Sequence, residues 1–132
     1  MKRKRVVFPG EIEIVSGTKS PILRIAIEQS CLETWLAIFW ALELGLGEIT
    51  IVPTAGVKCR LVAIEPEARI DTSGEVIRIA FDRRGLRGTS AFLARCFYDE
   101  YPVVNHVDLP FGIDSNKDGE VIFIVRWPST GC

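Results

Sequence analysis

Few side chains in this chain could do chemistry, and their types and spacing narrow what that chemistry would be. The single histidine, His106, stands with Asn105 and Asp108 in a strand-like stretch, while Cys31 opens the first helical pattern. A thiol in a first helical turn faces the positive end of the helix dipole, which lowers its pKa, and an imidazole backed by a carboxylate is the base such a nucleophile needs. Cys31, His106 and Asp108 are therefore the hydrolase candidates, set against the plainer fact that cysteine is among the most commonly buried residue types. A second cluster follows a strand ending at Asp82: Arg83, Arg84, Gly85, Arg87, Gly88, Thr89 and Ser90. Arginine forks match phosphate or carboxylate, and a helix starting at Thr89 or Ser90 would add free N–H groups, so Arg83, Arg84, Arg87, Thr89 and Ser90 are the anion-binding candidates. The spacing fits neither the phosphate loop, which needs Lys after its second Gly, nor the dinucleotide fingerprint. A solvated basic turn is the simpler alternative. A third group, Asp114, Asn116 and Asp118, puts oxygen donors at positions one, three and five of a calcium loop, with Gly119 at six. Val125 stands where the bidentate Glu at twelve belongs, and Asp, Asn and Gly are also ordinary turn residues.

The elements that must hold these residues are legible as periodicities. Ile22 to Glu28 alternates Leu23, Ile25 and Ile27 against Arg24, Ala26 and Glu28, which is the period of a strand. Ser30 and Glu33 read as a capping box that starts a helix at about Cys31, Gly45 and Gly47 end it, and Glu48 to Val52 resumes the alternation. A second copy begins at Val76, whose Val-Ile-Arg-Ile-Ala-Phe-Asp echoes the first strand. Trp35, Leu36, Ala37 and Trp40 correspond in this reading to Phe92, Leu93, Ala94 and Phe97, with three extra residues in the second connection. Each copy closes with two further strands, the first pair joined by a loop short enough to predict antiparallel pairing. The expected fold is α+β: a mostly antiparallel sheet with two helices on one face, an N-terminal strand broken at Pro9 and Gly10, then two tandem β-α-β-β units, pseudo-repeats at about 22–65 and 76–127.

The order of nucleophile and base, Cys31 at a helix start and His106 on a later strand, resembles the papain-like cysteine hydrolases, which implies the hydrolase roles above. The paired strand-helix-strand units resemble the glyoxalase and bleomycin-resistance architecture. That family's metal sites use His and Glu ligands, which one histidine cannot supply, so this second resemblance extends to the fold alone.

At 132 residues with 48% hydrophobic and 25% charged content, the chain reads as a single domain, 1–132, able to build a core without staples. A net charge of -1 gives no overall attraction to nucleic acid or anionic membrane. The cysteines, Cys31, Cys59, Cys96 and Cys132, form no C-x-x-C pair and read as reduced thiols in a cytoplasm. Lys2 to Arg5 precede too short an apolar stretch for an export signal and read as a solvated end, and the longest uncharged run, Thr34 to Leu42, is too short for a membrane span. On a helical wheel Trp35, Ile38, Phe39, Leu42 and Leu46 share the sheet side. Leu36, Trp40 and Leu44 lie between the directions of Glu33 and Glu43, where either a second layer or a partner must cover them, and Glu43 opposes the helix dipole. Leu36, Trp40, Glu43 and Leu44 are thus the partner-binding candidates. The expected function is a non-catalytic protein-binding module, such as a small cytoplasmic regulator or inhibitor of another protein, with no cofactor, no nucleic acid and a possible homodimeric form. The alternative is a small-molecule or nucleotide-binding enzyme using the Arg83 to Ser90 loop, with Cys31 and His106 as a weaker hydrolase version.

Overall fold

The longest strand, β1 (Arg3–Val15), carries its neighbours on both sides. Residues Gly10 to Val15 pair antiparallel with β2 (Ile22–Glu28), and residues Arg3 to Ile12 pair parallel with β3 (Glu48–Gly56). Pro9 lacks the N–H a ladder needs, and the register against β3 slips between Phe8 and Glu11, the bulge expected there. Thr54 closes the bulge: its Oγ1 accepts from the Gly10 N–H at 3.2 Å and donates to the Gly10 carbonyl at 3.0 Å. The basic run expected to be a solvated end therefore belongs, from Arg3 onward, to a strand paired on both sides within the sheet.

The computed structural model describes residues 3–15, 21–99, 106–114 and 119–126. After β2 a 3-10 turn (Gln29–Cys31) leads into α1 (Leu32–Glu43), then β3 and β4 (Cys59–Ala63). β5 (Arg69–Asp71), β6 (Ile77–Phe81), α2 (Arg83–Tyr98), β7 (His106–Pro110), β8 (Gly112–Ile113) and β9 (Glu120–Arg126) follow. The nine strands among the described residues form one sheet in the order β7-β9-β2-β1-β3-β4-β6-β5-β8.

The expected mostly antiparallel sheet with two helices on one face is not what forms. Strands make up 51% of the described residues, and of the eight pairings four are parallel (β1·β3, β2·β9, β4·β6, β5·β8) and four antiparallel. The sheet also curls into a nearly closed barrel. In a flat sheet β9 and β6 would lie five strand spacings apart, roughly 24 Å, yet the rings of Phe123 and Phe81 are 6.4 Å apart. The two outermost strands, β7 and β8, are joined in the chain by Phe111 alone. Short loops reveal which strands can form hairpins, but parallel neighbours are joined by long connections, so half of the pairing left no local trace.

The pairing of β1 to β4 recurs in β5 to β9: an antiparallel pair that opens with the extra strand (β1·β2, β5·β6), a parallel partner for that strand (β3, β8), and an antiparallel closing pair (β3·β4, β7·β9). The unit is thus β-β-α-β-β, with β1 and β5 inserted where the expected β-α-β-β unit had no strand. The two units join through parallel pairs, β4 with β6 and β9 with β2.

The core lies on the concave side, filled from α1. Trp35 meets Phe8 edge-on at 5.0 Å, and Phe39 meets Phe81 at 5.3 Å and Phe123 at 5.8 Å. Leu32, Ile38 and Leu42 complete the buried face, while Leu46, expected on it, lies past the end of α1 and is 61% exposed. Gly45 and Gly47 end the helix with positive φ, as their type suggests. The capping box expected from Ser30 and Glu33 does not form, since α1 begins after Cys31 without a side-chain cap bond. α2 starts directly after β6, at Arg83, earlier than Thr89 or Ser90 and without the expected longer connection. Its cap is Asp82, whose Oδ1 accepts from the Gly85 N–H at 2.7 Å.

Candidate functional site

Each helix lays a stripe of residues at i, i+4 and i+7 along its outer side: Leu36, Trp40 and Glu43 on α1, and Ser90, Ala94 and Phe97 on α2. That spacing keeps three side chains on one line of a helix surface. Because α1 and α2 contact one another, the two stripes face across a groove of about 350 Å³, with Tyr98 at its end. The rim is aromatic and open. Trp40 is 70% exposed, Phe97 48% and Tyr98 88%, and Leu44 adds another exposed apolar side chain next to the groove. Ala94 leaves room for an occupant beside Trp40. The Ser90 hydroxyl lies 3.4 Å from Glu43 Oε1 and donates to it, which joins the two helices with one weak polar link.

Three of the four partner-binding candidates, Leu36, Trp40 and Glu43, thus line one groove. The α2 contribution was missed, because Phe97 was read as the counterpart of Trp40 in the repeat, not as a site residue, and Tyr98 was not singled out. Its signal was present in the i, i+4, i+7 spacing of Ser90, Ala94 and Phe97, but Ser90 was assigned to the cap and the anion-binding loop, so the stripe was not read.

The anion-binding candidates are not brought together. Arg83, Arg84 and Arg87 are exposed on the first turns of α2 rather than on a loop. Thr89 is fully buried and donates to the Gly85 carbonyl at 2.8 Å, so it faces the interior, and Ser90 faces the groove. Arg83 and Arg87 line a small hollow of about 150 Å³ whose wall includes Glu43, so an anion there would meet a carboxylate. The helix start is no vacancy either, because the Asp82 carboxylate already accepts from its free N–H group.

The hydrolase candidates lie on opposite sides of the sheet. Cys31 belongs to the buried core. His106 pairs in register with Ile124, whose neighbours Phe123 and Val125 point inward, so the exposed imidazole shares the convex side with Ile124 and Ala26. Asp108 falls on the same side, in the row of Ile122, Arg24 and Glu13, where Arg24 and Glu13 pair at 3.3 Å. No thiol–imidazole pair can form across the sheet. The other described thiols are core residues too: burial pushes Cys59 up to about 12, and burial followed by the nearby Asp99 charge raises Cys96.

Of the calcium candidates, Asn116 and Asp118 lie outside the described residues. The Asp114 carboxylate is already engaged, accepting from the Thr72 N–H at 2.9 Å and from the Thr72 hydroxyl, while its own N–H donates to the Ile70 carbonyl at 2.8 Å. It fastens the end of β5, in the left-handed conformation that Asp tolerates better than most residues. Among the described residues no group of three or more His, Cys, Asp or Glu side chains is placed to hold a metal. No helix described is long and apolar enough to cross a membrane. No protein-family model matches the chain, and no curated protein matches it significantly.

Proposed function

We propose that this chain is a non-catalytic protein-binding domain whose α1–α2 groove receives an apolar segment of another protein carrying a basic residue that meets Glu43. One observation carries the reading: Trp40, Phe97 and Tyr98 surround a groove of about 350 Å³ and remain exposed. Large aromatic side chains left in water forgo roughly 25 cal/mol for each Å² of apolar surface, and interfaces recover that energy at a few aromatic anchors. Glu43 supplies orientation. It sits in the last turn of α1, where the helix dipole disfavours it, and an incoming cation would offset both that repulsion and the loss of its water. The thiols of Cys31 and Cys59 are free and buried, which suits a reducing, cytoplasmic setting.

The test compares wild type and Trp40→Ala. A partner recovered with the wild type is purified and titrated against both forms by calorimetry, with thermal unfolding run alongside. The expected loss is about 2 kcal/mol or more of binding free energy, about thirtyfold in affinity, at an unchanged melting temperature. A partner that binds Trp40→Ala and Tyr98→Ala as tightly as the wild type defeats the reading, and so does a groove occupied by a second copy of this chain.

A further inference from the structure

A different part of the surface carries a second site. Arg5 on β1 pairs with Thr50 on β3, Val7 with Val52 in the next outward row, and Lys58 follows in the connection to β4. Arg5 and Lys58 line, together with Lys4, Thr50, Val52 and Val76, a cleft of about 310 Å³ that no acidic side chain lines, and Arg5 shares the outward row of Thr50 while Lys4 falls in the row of the buried Ile49. Glu48, on the same strand as Thr50, is drawn to Arg60 at 3.9 Å. Among the described residues no ion pair involves Lys4, Arg5 or Lys58. Two outward cations, Arg5 and Lys58, stand here without an ion-pair partner among the described residues, in a protein whose net charge is -1.

We infer that this cleft is an anion site for a phosphate monoester, with Arg5 and Lys58 on the phosphate, Thr50 as a hydroxyl donor, and Val52 and Val76 against the organic part. Like charges held close repel one another, and a dianion relieves that repulsion while accepting charge-assisted hydrogen bonds. The cleft is at the small end of ligand sites. A nucleic-acid backbone is the less favoured occupant. It would need cations continuing along the sheet, and the next two in the row, Arg60 and Arg78, are engaged by Glu48 and by Glu65 at 3.0 Å. This inference is independent of the helix groove.

The experiment titrates the wild-type chain with phenyl phosphate, inorganic phosphate, phenol and single-stranded oligonucleotides of increasing length, at low ionic strength, by calorimetry and methyl NMR. Phenyl phosphate should bind saturably at one site, tighter than inorganic phosphate, moving the Val52 and Val76 methyl signals. Lys58→Gln should weaken it about tenfold or more. Lys58 lies between strands, so this variant keeps the ladder, and Val52→Glu provides a second one that places a carboxylate in the cleft. Thermal unfolding reports whether each is folded. The assignment is overturned if phenyl phosphate does not saturate, binds no tighter than inorganic phosphate, or binds both variants as it binds wild type. Oligonucleotides that bind tighter than phenyl phosphate and gain affinity with length would overturn it in favour of nucleic acid.

Discussion

α1 and α2 hold corresponding places in the two halves of the barrel, yet they are made helical by different means. Aligned without a gap, so that Arg24 falls on Arg78, Leu32 falls on Leu86, Trp35 on Thr89, Phe39 on Leu93 and Leu42 on Cys96, all of them buried. α1 fills those positions with two large rings. α2 fills them with two leucines, a threonine and a thiol, and is polar over most of its remaining surface. The first helix has no side-chain cap and is held by burial, whereas the second has an Asp82 cap and an amphipathic pattern. The same alignment sets Leu36 opposite Ser90 and Trp40 opposite Ala94, so the groove lies between corresponding stripes, with a large side chain on one wall and a small one on the other.

The largest consequence lies in the core. Trp35→Ala should lower folding stability by about 3 to 5 kcal/mol, whereas Thr89→Ala, which loses a methyl and the bond to the Gly85 carbonyl, should cost about 1 kcal/mol. Urea unfolding measures both, and similar costs would break the contrast. Trp35→Phe sharpens it. The buried indole N–H has no hydrogen-bond partner among the described residues, so phenylalanine gives up volume but also removes an unsatisfied donor, and should cost well under the alanine variant.

The next contrast is on the groove. Ala94→Trp places a ring where the smaller wall leaves room, so it should block the partner as fully as Trp40→Ala weakens it, about 2 kcal/mol or more in affinity. Both changes are on an exposed surface and should leave folding stability within about 0.5 kcal/mol. A variant that unfolds the protein as it loses the partner would show the groove to be part of the core.

The single strands and the buried face of α1 were legible because each is written in a local period. Closure was not. Nothing local marks that β4 will lie beside β6, or β9 beside β2, since those pairs form only when the two halves meet. β1 was read as a prelude to the repeat because it precedes the first copy, and β5 was read as linker because three residues, Arg69 to Asp71, are too few to show alternation. The outward stripe of Leu36, Trp40 and Glu43 on α1 was read from the wheel. On α2 the arginines and glycines after Asp82 were taken for a loop, because glycine ordinarily breaks a helix, and the Asp82 cap that overrides them was not weighed. That one misplaced start produced the anion-binding candidates and drew Ser90 away from the stripe it shares with Ala94 and Phe97.

The two helix starts can be tested directly. Asp82→Ala removes the bond to the Gly85 N–H and should cost about 1 kcal/mol. Ser30→Ala removes a hydroxyl that caps nothing and should change stability by less than about 0.5 kcal/mol. Circular dichroism during urea unfolding follows both, and a larger loss from Ser30→Ala would return the capping role to α1.

A closing strand of each half differs at one buried position. Cys59 on β4 pairs with Ile77, and Val121 on β9 pairs with Leu23, which corresponds to Ile77. A thiol therefore sits where the other half has a valine, and Cys59→Val, close in volume and fully buried, should change stability by less than about 1.5 kcal/mol. Alkali separates the two side chains. Burial pushes the Cys59 thiol from 9.0 up to about 12 in the folded protein, so as pH rises through that window the unfolded chain gives up the proton while the folded one keeps it. The unfolded state then binds fewer protons, and stability falls with pH. Valine has no proton to lose. Wild type should lose stability more steeply than Cys59→Val above pH 9.0 and run parallel to it below, in urea titrations at a series of pH values. Parallel curves across the whole range would mean that this thiol is not sealed in the core.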